Sequence, residues 1–223
     1  MDLRTLLLYG CAIAVIVPST QILAAVAAPS RDAAGPPTPR LIWRRPVPWT
    51  AAVLVALMVV LAVAQTVVPA LVGGLERVPD GPWWRVPTAL LVQSSGWFQV
   101  VFNLAALFVV APVAERAFGP ARMLAVYVVS GVAAQAVSVA GWGPRGGGDS
   151  VAICGLVGAL ATTYALRGAL TAVRRVAPLV PASGVVLCLL ANNHGVGVLT
   201  GCALGAALTW AGTLRLADPS AAR

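Results

Sequence analysis

Residues 176–214 read VAPLVPASGVVLCLLANNHGVGVLTGCALGAALTWAGTL, without a single Asp, Glu, Lys or Arg. A helix crosses the hydrocarbon core of a bilayer in about 20 residues, so this stretch is too long for one crossing. The group Asn192-Asn193-His194-Gly195 interrupts it, and the reading that follows is two helices joined by a turn. The first of the pair is short. Pro178 and Pro181 suit its first turn, where a missing N–H costs little, better than its middle.

The rest of the chain has the same character. Of 223 residues, 59% are hydrophobic and 10% charged, against about 25% charged in a soluble domain. Mean hydropathy is +0.88. That leaves too few polar groups to cover a water-soluble fold. Further apolar runs lie at Leu6–Ala28, Trp49–Val72, about 93–114, Met123–Trp142 and Ser150–Leu166. The expectation is an all-α polytopic membrane protein, one N-terminal helix followed by six. Its divisions are residues 1–28 (N-terminal transmembrane helix), 29–48 (Pro/Arg-rich linker), 49–214 (six-helix membrane domain) and 215–223 (tail). Ala25-Val26-Ala27 resembles a signal-peptide cleavage site. The apolar run before it is long for a signal, and the region holding Asp2 and Arg4 is weakly basic, so a retained helix fits better.

The net charge of +8 comes from fifteen Arg and no Lys. Nucleic acid is not the implied partner, because these Arg occupy short gaps between apolar runs instead of clustering on one water-facing surface. With the 29–48 linker in the cytoplasm and six alternating crossings after it, eleven Arg fall inside: Arg31, Arg40, Arg44, Arg45, Arg116, Arg122, Arg167, Arg174, Arg175, Arg215 and Arg223. Arg4, Arg77, Arg85 and Arg145 fall outside. The positive-inside rule supports that count and direction. All-Arg, Ala/Val-rich usage points to a GC-rich bacterial genome, and so to a plasma membrane. Cys11, Cys154, Cys188 and Cys202 lie in apolar runs with no metal-ligand spacing and read as packing residues. One histidine and no carboxylate cluster build no usual metal site, and no cofactor is implied.

That topology places Ser150 at the start of the fourth core helix and His194 at the start of the sixth, both running from outside to inside. The two therefore lie at matched depth. Gly155 and Gly158 sit on one helix, and Gly197, Gly201 and Gly205 repeat every four residues on the other. Small residues at this spacing let helix backbones approach closely in lipid, as a Ser–His hydrogen bond between helices requires. Taken singly, a serine at a helix start is ordinarily an N-cap, and Asn103 an interhelical hydrogen-bonding residue. Trp83 and Trp84 read as an interfacial aromatic belt, and Asp149 as a solvated loop residue.

The segment Gly148-Asp149-Ser150-Val151, with Gly155 and Gly158 behind it, resembles the GxSG box of the rhomboid family. His194-Gly195-Val196-Gly197 with Gly201 is similar to the family's second box. Trp83-Trp84-Arg85 resembles the WR motif of the first external loop, and Asn103 falls where an HxxxN motif ends. Glu115-Arg116-Ala117-Phe118-Gly119, followed by Tyr127 and Gly131, is similar to the turn between the second and third core helices. These boxes run in matching order from about Trp49 to Trp210.

The resemblance implies a six-helix rhomboid-like core in the lipid bilayer that cuts transmembrane segments of other membrane proteins. Ser150 would be the nucleophile and His194 the general base, with an oxyanion held by the Ser150 N–H, Asn103 and Gln99. Oligomeric state is not specified. Three positions depart from the family pattern. Gln99 replaces the oxyanion histidine, β-branched Val151 replaces the glycine after the serine, and Cys154 stands where some relatives stack an aromatic ring on the histidine. Gln99 and Val151 favour the alternative, a rhomboid-like protein that binds transmembrane helices without cleaving them.

Overall fold

The computed structural model describes residues 2–27, 38–143 and 145–212. Among them every regular element is helical, apart from one isolated bridge between Arg77 and Gly146. Seven longer helices carry the fold: α1 (Leu3–Ala27), α2 (Trp49–Val67), α3 (Trp97–Phe118), α4 (Pro120–Val137), α5 (Ser150–Arg167), α6 (Leu179–Leu189) and α7 (Asn193–Trp210). A wider helical turn, Ser138–Trp142, extends α4, and a short helix, Thr171–Val176, leads into α6.

Among the described residues, six stretches are long and apolar enough to cross a membrane: α1, α2, α3, α4 with its extension, α5, and Thr171–Leu189. The remaining helix, α7, is diluted by Asn193, His194 and the glycines 195, 197, 201 and 205. It packs most extensively on α5, then on α6 and α4. The chain is an all-α, multi-pass membrane protein.

Helix ends follow local chemistry and correct three of the expected limits. The run expected to reach Val72 stops at Val67, because Val68 precedes Pro69 and takes φ −125°, ψ 80°, away from the helical basin that a following proline disfavours. The run expected from about residue 93 begins at Trp97, after Gly96 at φ 82°. It continues past Ala114 to Phe118 because both charges there find partners. The Glu115 carboxylate accepts from the N–H groups of Ala51 (2.6 Å) and Thr50 (3.3 Å), at the positive end of the α2 dipole. Arg116 donates to the carbonyls of Leu41 (3.1 Å) and Arg44.

Ile22, Leu23 and Ala27 of α1 join the buried core, and α1 packs mainly on α6. The linker expected at 29–48 is described only from Thr38 onward, and the 215–223 tail lies outside the described residues.

The α5–α7 seam is what positions the site. Gly197 faces the carbonyl of Val151, Gly201 that of Gly155, and Gly205 that of Ala159, each too closely to admit a Cβ. Glycine is required there by proximity, not by its dihedral freedom. The four-residue step of those contacts holds the two helix starts in fixed register.

Candidate active site

Ser150 is the first residue of α5 and His194 the second residue of α7. The chain reverses between α6 and α7 through Ala191 at φ 53°, with its N–H on the Cys188 carbonyl at 3.0 Å and that of Asn192 on Leu187 at 2.9 Å. Asn192 then caps α7 from an extended conformation (φ −106°, ψ 119°), accepting the His194 N–H at 3.0 Å. With both helix starts level, His194 Nε2 lies 2.9 Å from Ser150 Oγ. On the other side of the ring, Nδ1 lies 2.8 Å from Asn192 Oδ1. The structure thus brings together the two residues expected to form the dyad. It adds Asn192, which in the sequence reads only as part of a helix break. The available signal was an N-cap residue two positions before the only histidine.

Val151 is buried in the first turn of α5 and takes no left-handed conformation, so its branched side chain meets no backbone conflict. Cys154 is partly buried.

Asp149 corrects the expectation of a solvated loop residue. It is 0% exposed, and a buried carboxylate needs donors. Gln93 Nε2 donates to its Oδ1 at 2.7 Å and the Tyr127 hydroxyl to its Oδ2 at 3.1 Å. Its neighbours in sequence are held as firmly. Gln135 Nε2 donates to the Gly148 carbonyl at 3.0 Å, and Arg77 donates from Nε to Gly143 at 3.0 Å and from Nη1 to Gly146 at 3.3 Å.

Asn103 and Gln99 lie one turn apart on α3, and Gln99 reaches this loop directly while Asn103 reaches it through Gln93. The Asn103 amide donates to Gln93 Oε1 at 2.8 Å. Gln99 Nε2 donates to the Gly147 carbonyl at 3.1 Å while its Oε1 accepts the Ser95 N–H at 2.7 Å. Both amides thus lie beside the segment just before Ser150, with the Gln99 donor on Gly147 and the Asn103 donor on Gln93. The loop's buried carbonyls and the Asp149 carboxylate need partners, and the Gln99, Gln135 and Gln93 amides supply them. Outside this network, Trp83 is 82% exposed, and the Arg85 guanidinium lies 5.4 Å from the Trp84 ring centroid, a cation–π distance.

Residues 80–214 match the model of the Rhomboid domain. The chain is also similar to Rhomboid protease AarA of Providencia stuartii, at 43% identity over 54 residues, which are 24% of this chain and 19% of that protein. A second relative is YdcA of Bacillus subtilis (strain 168), a proposed rhomboid protease, at 42% identity over 55 residues, 25% of this chain and 27% of that protein. Each of these two alignments takes in less than a third of the relative's length. The domain match covers more than half of this chain and spans both helix starts that meet at Ser150 and His194, on an all-helical multi-pass fold; this chain belongs to the rhomboid family of intramembrane proteases.

Proposed function

We propose that this chain is a serine endopeptidase that cleaves transmembrane segments of other membrane proteins. The observation that carries this reading is the 2.9 Å contact between His194 Nε2 and Ser150 Oγ across two helices whose backbones touch. Ser150 Oγ would attack the scissile carbonyl carbon as its proton passes to Nε2. The resulting tetrahedral oxyanion collapses with cleavage of the C–N bond, and the imidazolium returns the proton to the leaving amine. Water, deprotonated by His194, then hydrolyses the Ser150 ester to a free carboxylate and restores the serine.

Ser150 opens α5, so its N–H has no intrahelical acceptor and stands at the positive end of the helix dipole. That makes it the first oxyanion donor. Gln99 and Asn103 would serve the oxyanion only by releasing Gly147 and Gln93. This commitment is the specific observation favouring the second reading, a rhomboid-like protein that holds transmembrane helices without cutting them. The Arg distribution orients the proposal: dyad toward the external face, with the 29–48 linker and the 215–223 tail cytoplasmic.

Purified protein in proteoliposomes, given a single-pass model substrate, tests the reading. Cleavage by the parent and none by Ser150→Ala is the expected result. A substrate that co-purifies with both proteins yet stays intact with both would establish the second reading.

A further inference from the structure

The Asn192 side chain ends in two atoms, one nitrogen and one oxygen, and only the oxygen accepts a hydrogen bond. A backbone N–H always donates. The atom 3.0 Å from the His194 N–H is therefore Oδ1, and the orientation of the amide is fixed by the helix cap itself. The same oxygen lies 2.8 Å from His194 Nδ1. An oxygen in that position holds the ring only if Nδ1 carries the proton. In a neutral imidazole Nε2 is then bare, and the Ser150 hydroxyl at 2.9 Å is the donor in that pair. The backbone proton of His194 thus dictates, through Asn192 Oδ1, the tautomer of its own ring.

We infer that Asn192 is the positioning residue of the dyad, using its cap oxygen to hold the Nδ1 proton of His194 and present an unprotonated Nε2 to Ser150. The inference rests on the proteolytic reading of that dyad. It supplies the imidazole with an orienting group where Cys154 offers no aromatic face. During the reaction the Nδ1 proton stays on the ring, hydrogen-bonded to Asn192. Nε2 receives the serine proton and later delivers it to the leaving amine, so Asn192 neither gains nor loses a proton. The wrong tautomer would put a proton on the nitrogen that must accept one, as when the carboxylate behind a catalytic histidine is replaced by an amide.

Two variants separate this role from simple capping. Glycine is a serviceable N-cap, so Asn192→Gly keeps α7 but removes the oxygen, whereas Asn192→Asp keeps the oxygen. Because His194 is the only histidine, selective 15N-histidine labelling in detergent micelles reads its two ring nitrogens alone. The parent is expected to show Nδ1 protonated and Nε2 bare at pH 8. Asn192→Gly should show a mixture of tautomers, melt close to the parent, and lose kcat by roughly 10²-fold, the scale of a misplaced reacting group, at unchanged KM. Asn192→Asp should recover the parent tautomer and most of the turnover.

An Nε2–H tautomer in the parent, or an Asn192→Gly protein with the parent's tautomer and kcat, would overturn the inference. A parent that cuts no substrate while keeping Nδ1 protonated in an Asn192-dependent way would remove the proteolytic reading and leave the positioning role standing.

Discussion

Helices α2 and α5 have nearly the same length, 19 and 18 residues, and both pass as membrane spans by composition. α2 is the more apolar, yet only 28% of its span is buried, against 67% for α5. In water the more apolar helix would be the inner one. In lipid the chains around a span are as apolar as leucine, so hydrophobicity does not draw helices together. Val53, Val60, Val63 and Val67 of α2 face outward, while α5 presents Gly155, Gly158 and Ala159 to α7. Apolarity marks the periphery of this molecule, and small residues mark its centre, where the dyad lies.

Substitutions that add or remove bulk separate the α5–α7 seam from the periphery most directly. A side chain at Gly201 would meet the Gly155 carbonyl, so Gly201→Val should force α5 and α7 apart and cost about 3 kcal/mol, the upper range for overpacking. Val60→Ala on the outer face of α2 should cost less than about 0.5 kcal/mol. Thermal unfolding of both in one detergent compares them, and equal losses would erase the distinction between seam and periphery.

A smaller effect sharpens the contrast between the seam and the polar loop beside it. Asn103→Ala leaves the Gln93 side-chain oxygen short of a donor and should cost roughly 1–3 kcal/mol, with turnover per folded molecule unchanged. Unchanged stability with a loss of about 10²–10³ in kcat would instead make Asn103 an oxyanion donor. The smallest effect belongs at the rim. Arg145, 67% exposed, pairs at 2.7 Å with a Glu76 side chain that is 9% exposed. Arg145→Ala leaves that carboxylate short of a partner and should cost about 1 kcal/mol, the low end for a stranded buried group, measured by thermal unfolding beside the parent.

What was legible in the sequence follows the same division. The charge-free 176–214 stretch and its polar interruption lead to α6 and α7, and the four-residue glycine rows to the contact between α5 and α7, because spacing along a helix is spacing in space. Helix limits were less readable where proline or positive-φ glycine acts across the boundary, as at Val68 and Gly96. The polar network was least readable. Gln93, Tyr127 and Asp149 are far apart in sequence, and each alone has an ordinary surface or interfacial explanation. Only the folded chain shows that the carboxylate has its donors within reach. Asn192 was hidden differently: a cap residue is common, and its second bond, to Nδ1, depends on how the following histidine curls back.

The proposed dyad requires that the His194–Ser150 contact make Ser150 a nucleophile. A fluorophosphonate probe, reacted with the folded protein in membranes and mapped by mass spectrometry, tests it without a substrate. The expected result is one adduct, on Ser150, absent in Ser150→Ala and strongly slowed in His194→Ala. No adduct on a fully folded parent, or labelling that persists in Ser150→Ala, would contradict it.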